Sequence, residues 1–175
     1  MPIDDLNALP EELAVGALLH CCGSIRWARR MAAARPFPGL EAMSVTADSI
    51  WASLEPEDWL EAFGAHPRIG GAGGAGGSGG AGGSGGAGGW SDEEQAGVRS
   101  MTDAVGERLA GANRDYEARF GYLFIVCATG KGAEEMLAIL ERRLTNGPDE
   151  ELRLAAEEQR KITRLRLAKL LDSGS

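Results

Sequence analysis

Residues 70–89 contain nothing but glycine, alanine and serine: fourteen Gly, four Ala and two Ser. No side chain there is large enough to fill a core, so by composition the tract is a flexible coil. A coil of that length has a root-mean-square span of about 25 Å. Its G-G-x triplet is not collagen, since it lacks proline. Such a run reads first as a linker between domains, but its flanks argue otherwise. Only 69 residues precede it and 86 follow, and neither flank carries an evident complete core. Loop-closure entropy rises slowly with length, so one domain tolerates a long internal loop. The expectation is a single domain over residues 1–175, with 70–89 an expanded loop inside it.

Outside the tract the apolar spacing is helical. Leu13, Gly16, Ala17 and His20 share a face of "PEELAVGALLHCC". Ile25, Ala28, Met31 and Ala32 do the same in "SIRWARRMAAARPF", which Pro36 and Pro38 stop. The stretch 44–67 is apolar at Val45, Ala47, Ile50, Trp51 and Leu54, then at Trp59, Leu60, Ala62 and Phe63. Beyond the tract, Val98, Met101, Val105 and Leu109 mark one helix, and Met136, Leu137, Leu140 and Leu144 another, closed by Asn146-Gly147-Pro148. A last helix is expected from about Pro148 to Leu171. The run "YLFIVCA", residues 122–128, is alone in looking strand-like. With no second run to pair with, it is expected to be a buried extended segment or a helix fragment. The expected fold class is therefore all-α, a bundle of about six to seven helices.

Composition narrows the function classes. Lys and Arg number 18 against 26 Asp and Glu, a net charge of −8. Such a surface repels phosphate backbones, so no nucleic-acid partner is expected, although a small anionic substrate is compatible with a locally positive site. The three cysteines are an odd count, and Cys21 and Cys22 are adjacent. This speaks against a disulfide framework and for a reducing compartment. The first residues lack the pattern of a secretory signal, no apolar run is long enough to span a bilayer, and "LDSGS" is not a peroxisomal address. A cytoplasmic protein without a membrane partner is expected. No phosphate-binding loop and no G-x-S-x-G elbow is present.

Three places carry chemistry. In Trp90-Ser91-Asp92-Glu93-Glu94-Gln95, Ser91 and Glu94 have the spacing of a capping box. That explains the hydroxyl and the acidic first turn, but not Gln95, where an apolar residue would staple Trp90. A helix start with free amides, a hydroxyl, a carboxylate and an amide also suits a polar heterocycle. His66 is one of two histidines and is followed by Pro67, which biases it out of helical geometry. It fits a charged histidine at a helix end, and equally a proton-transfer group. The other, His20, continues a helical face and is expected in the core or at its boundary; a His-Cys-Cys metal site lacks further ligands. In the last helix Leu152, Ala155, Gln159, Ile162, Arg166 and Leu170 form one core-facing stripe. Arg166 interrupts it, and a buried guanidinium needs a partner. That partner is either a structural carboxylate, for which Glu94 is a candidate, or a substrate carboxylate.

Taken together, "HPRIG", "WSxxEQAGV", "FGYLFIVCATGKGAEEML" and "ERRLTNGPDEELRLAAEEQRKITRLRLAKLL" resemble the OHCU decarboxylase family, as do "CCGSIRWARRMAAARPF" and "DWLEAFGAHP" upstream. OHCU is 2-oxo-4-hydroxy-4-carboxy-5-ureidoimidazoline. The resemblance covers nearly the whole chain outside 70–89, where the family's connection is shorter and less repetitive. It implies an all-α homodimeric carboxy-lyase of urate degradation that needs no cofactor and no metal and yields (S)-allantoin and CO₂. It also implies that His66 is the proton donor, with Glu94 and Arg166 catalytic beside it. Pro67, Ser91, Asp92, Glu93, Glu94 and Gln95 would bind the substrate, and the backbone of Tyr122, Leu123, Phe124, Ile125 and Val126 would line the pocket. The alternative is a non-catalytic helical partner-binding protein. It accounts for the helices and the acidic surface, but leaves His66, Gln95 and a core-facing Arg166 unexplained together.

Overall fold

The computed structural model describes residues 1–69 and 103–172. All regular structure among them is helical. In chain order the helices are α1 (Ile3–Ala8), α2 (Glu11–Leu19), α3 (Ile25–Ala33), α4 (Leu40–Ala52), α5 (Pro56–Gly64), α6 (Asp103–Phe120), α7 (Ala133–Arg143) and α8 (Pro148–Asp172). The described residues gather into two compact units, Met1–His66 with Leu152–Ser175, and Pro67–Glu151. The glycine tract and the Ser91–Gln95 stretch lie outside the described residues, as do Val98 and Met101.

In the first unit, α2 buries Ala14, Val15 and Leu18, and its turn buries Cys21 and Cys22. The face read from the sequence, through Leu13 and His20, is not the one that packs: Leu13 is 61% exposed and His20 is exposed, with its Nδ1 2.7 Å from the Gly16 carbonyl. The reason is that α2 is apolar nearly all round, so its pattern does not select a face. The neighbour does. Gly23 lies so close to the end of α5 that a Cβ there would overlap the Cβ of Ala65. Ser24 then caps α3, its hydroxyl accepting from the Trp27 amide at 3.3 Å.

Indole groups tie this unit together. Trp27 donates to the Ala47 carbonyl at 3.2 Å, joining α3 to α4, and Trp51 donates to the Ala156 carbonyl at 2.9 Å, joining α4 to α8. Trp59 donates to the Trp51 carbonyl at 3.1 Å, joining α5 to α4. Between α4 and α5 the chain breaks at Ser53–Glu55, Pro56 opens α5, and the Asp58 carboxylate accepts from the Glu55 amide at 3.3 Å. That break and the short α1 raise the helix count among the described residues to eight.

In the second unit α6 and α7 enclose the 122–128 run. It is extended, without strand pairing, and its Phe124, Ile125, Val126 and Ala128 are buried. Gly121 ends α6 with φ +82°, and its amide donates to the Glu117 carbonyl at 2.8 Å. A side chain would be strained in that left-handed cap, so glycine is what reverses the chain there.

Candidate functional site

α5 ends at Gly64 with Ala65 as its C-cap, and the His66 amide closes the last turn on the Phe63 carbonyl at 3.2 Å. Pro67 follows and cannot continue the helix. The His66 ring is thereby turned onto α8. Its Nε2 stands 2.5 Å from Oε1 of Gln159, and its Nδ1 stands 3.5 Å from Nη2 of Arg166. Gln159, Thr163 and Arg166 are spaced four and three residues apart, so they share one face of α8. Gln159 and Thr163 are buried and Arg166 is half-buried. The Gln159 amide donates to Oγ1 of Thr163 at 3.1 Å.

The thiols beneath this row are not nucleophiles. Burial pushes Cys21 and Cys22 up to about 12, although the Arg166 charge works in the opposite direction on both. At neutral pH both are protonated, which keeps them inert. All three cysteines are free, and among the described residues no three His, Cys, Asp or Glu side chains group as a metal site.

The second unit holds the other segment singled out in the sequence. Tyr122 and Leu123 are half-buried, and Phe124, Ile125 and Val126 are buried. A buried ionic cluster holds this segment. Arg143 donates from Nη1 to the Ile125 carbonyl at 2.6 Å and from Nε to Oε1 of Glu151 at 2.7 Å. Tyr116 donates to the same Glu151 oxygen at 2.5 Å, and Asn146 donates to the other at 3.0 Å. The Arg143 guanidinium lies 4.7 Å from the Phe124 ring centroid. Burial, then the Glu151 hydrogen bond, raises the Tyr116 hydroxyl far above its ordinary value. Nearby, Pro67 is exposed, and Arg68 forks onto Glu117 of α6 with two bonds of 2.8 Å.

Of the residues singled out in the sequence, the structure places His66 and Arg166 side by side. Ser91, Asp92, Glu93, Glu94 and Gln95 lie outside the described residues. Sequence reasoning placed Gln159 on the core stripe without giving it a partner, and it passed over Thr163. The available signal was polar residues at i, i+4 and i+7 on a buried helical face. Chemically, a half-buried imidazole beside a guanidinium can bind a small carboxylate and exchange a proton with it.

Known proteins resemble this chain in sequence and in fold. Residues 7–168 match the family model described as OHCU decarboxylase. The uric acid degradation bifunctional protein TTL of Arabidopsis thaliana is 39% identical over 151 residues, covering 86% of this chain and 45% of that protein. The 2-oxo-4-hydroxy-4-carboxy-5-ureidoimidazoline decarboxylase of Amia calva is 36% identical over 80 residues, 46% of each chain. This chain thus aligns with under half the length of either relative. A crystal structure of OHCU decarboxylase in the presence of (S)-allantoin superposes with a TM-score of 0.75 at 34% identity, covering 94% of this chain and 99% of that one.

Proposed function

This chain belongs to the OHCU decarboxylase family, and from that premise we propose that it is a decarboxylase of urate degradation that converts OHCU to (S)-allantoin and CO₂. The observation that carries the reading is the meeting of His66 with Arg166 across 100 residues of sequence, inside a family match that spans residues 7–168. Arg166 would hold the substrate carboxylate. When the carbon–carboxylate bond breaks, its electron pair forms a double bond to the neighbouring ureido-bearing carbon, whose ring imine nitrogen takes up the charge and a proton; loss of the hydroxyl proton then gives an enolate. That delocalisation supplies the electron sink, so the chemistry requires no metal or cofactor. The protein must orient the carboxylate, stabilise the developing oxyanion and deliver a proton to one face of the ureido-bearing carbon as the enolate becomes the ring carbonyl. His66 would deliver the proton and set the S configuration. Glu94 would orient or deprotonate the substrate hydroxyl and pair with Arg166. Ser91 and Gln95, with the flanking Asp92 and Glu93, would bind the ring and ureido groups, Pro67 would border them, and the backbone of residues 122–126 would line the site.

The same reading takes residues 1–175 as one domain that works as a homodimer in the cytoplasm. Three free thiols and the absence, among the described residues, of a helix long and apolar enough to cross a membrane support that setting. Light scattering on the purified protein tests the dimer.

The activity test generates OHCU in situ from urate with the upstream enzymes, adds this protein and follows optical rotation. Rapid appearance of the S enantiomer is expected. Racemic product at the spontaneous rate would reject the decarboxylase and leave the partner-binding reading. His66→Ala is expected to lower the rate by about 10²–10⁴-fold. An unchanged rate would remove His66 from the chemistry.

A further inference from the structure

Both nitrogens of the His66 ring meet α8, and the two partners differ in kind. A guanidinium has N–H groups and no acceptor, so Arg166 can only donate toward Nδ1, at 3.5 Å. Nδ1 must then carry its lone pair, and the ring proton must sit on Nε2. That places an N–H 2.5 Å from Gln159, whose side-chain oxygen accepts it. The amide nitrogen of Gln159 is then committed to Thr163 at 3.1 Å. The donors run one way: Arg166 to His66, His66 to Gln159, Gln159 to Thr163. Turning the Gln159 amide over would make Nε2 the acceptor and put the ring proton on Nδ1, so that two donors, Nδ1–H and the guanidinium, would face each other. The Gln159 and Thr163 side chains are buried, so a misdirected amide there would be costly.

We infer that Gln159 is a positioning residue, held by Thr163, that anchors the Nε2–H of His66 and leaves Nδ1, the nitrogen facing Arg166, as the edge that exchanges a proton. The inference rests on the proposed role of His66 in catalysis, and it adds which nitrogen acts and what fixes it. The two edges are held unequally. Gln159 is fully buried and its bond to the ring is short, whereas Arg166 is half-buried and its approach is long. A substrate carboxylate that draws Arg166 to itself would leave the Nε2 anchor intact.

The chain has two histidines, and His20 is exposed, so the His20→Gln protein carries a single ring to observe. Its two-bond ¹H–¹⁵N correlation spectrum, recorded where the ring is neutral, is expected to show the proton on Nε2, with an N–H resonance protected from solvent exchange. In the Gln159→Ala variant that resonance is expected to broaden away. There kcat should fall about tenfold to a hundredfold with little change in KM, as for other partners that orient an imidazole. Gln159→Glu keeps an acceptor oxygen and should restore the resonance. Thr163→Val, which leaves Gln159 in place but frees its orientation, should give a weaker form of the alanine result; it serves as the second variant if Gln159→Ala fails to fold. A ring proton on Nδ1, or a protected Nε2–H that survives in Gln159→Ala and Thr163→Val alike, would overturn the inference. The spectra need no turnover, so they decide it even if the protein does not decarboxylate OHCU.

Discussion

Arg143 and Glu151 show how much a single buried pair can carry. Glu151 is fully buried, and its carboxylate takes hydrogen bonds from Arg143, Tyr116 and Asn146. Arg143 also holds the Ile125 carbonyl, so the ion pair organises an extended segment that has no strand to pair with. Arg143→Met removes the cation and strands a buried carboxylate. We expect it to cost about 3–5 kcal/mol, read as a lower urea midpoint. Replacing Arg143 and Glu151 together by apolar residues should cost less than Arg143→Met alone, because no lone charge remains. Equal losses in the two variants would show that the hydrogen bond to Ile125 matters more than the charge. At this scale the sequence was a partial guide. An arginine on the final stripe announces a need for a partner, but only the fold names His66 as its neighbour. Nothing local marks Arg143 or Glu151 as buried, since charged residues on two helices look alike until the helices pack.

Helices meet in this protein through small residues and single hydrogen bonds, and each can be tested. Gly23 allows the turn after α2 to lie against Ala65 at the end of α5, one residue before His66. Gly23→Ala is expected to cost about 1–3 kcal/mol from overpacking and to disturb the His66 ring. Adding Ala65→Gly should recover most of both losses, since it removes the opposing methyl group. A double variant no better than Gly23→Ala would mean that the glycine is needed for its backbone and not for its size. On α6, Glu117 is held below its ordinary carboxylate range by the hydrogen bonds from Arg68. A depressed folded-state value stabilises the fold above the unfolded value and is lost as pH falls through the folded one. Relative to Glu117→Gln, the wild type should therefore be slightly more stable at neutral pH, the gain being small because solvent screens so exposed a pair. That advantage should fade as pH drops below 4.5, the ordinary value. Urea midpoints of both proteins at neutral and acid pH provide the measurement. An advantage that persisted in acid would rule out the ion pair as its source.

For the whole molecule, the glycine tract was the first constraint, and it yields a direct test. If 70–89 only connects, shortening it to about six residues should leave stereoselective allantoin formation intact and change closure entropy by about 1 kcal/mol. Loss of activity with the helical spectrum preserved would show that the tract shapes the site. The sequence by itself determined the all-α class, the bounds of α8 and the helical stripe bearing Gln159 and Arg166. These follow from short-range causes: apolar period, proline stops and the absence of strand partners. It did not determine which face of α2 is buried, because an all-round apolar helix offers several and only its neighbours choose. Nor did it reveal that His66 would rest on Gln159, 93 positions away. Contacts that far apart depend on how helices pack, and no local pattern in either segment encodes them. The tertiary structure therefore decided which nitrogen of the histidine faces the guanidinium and which faces Gln159, and the inferred tautomer follows from that.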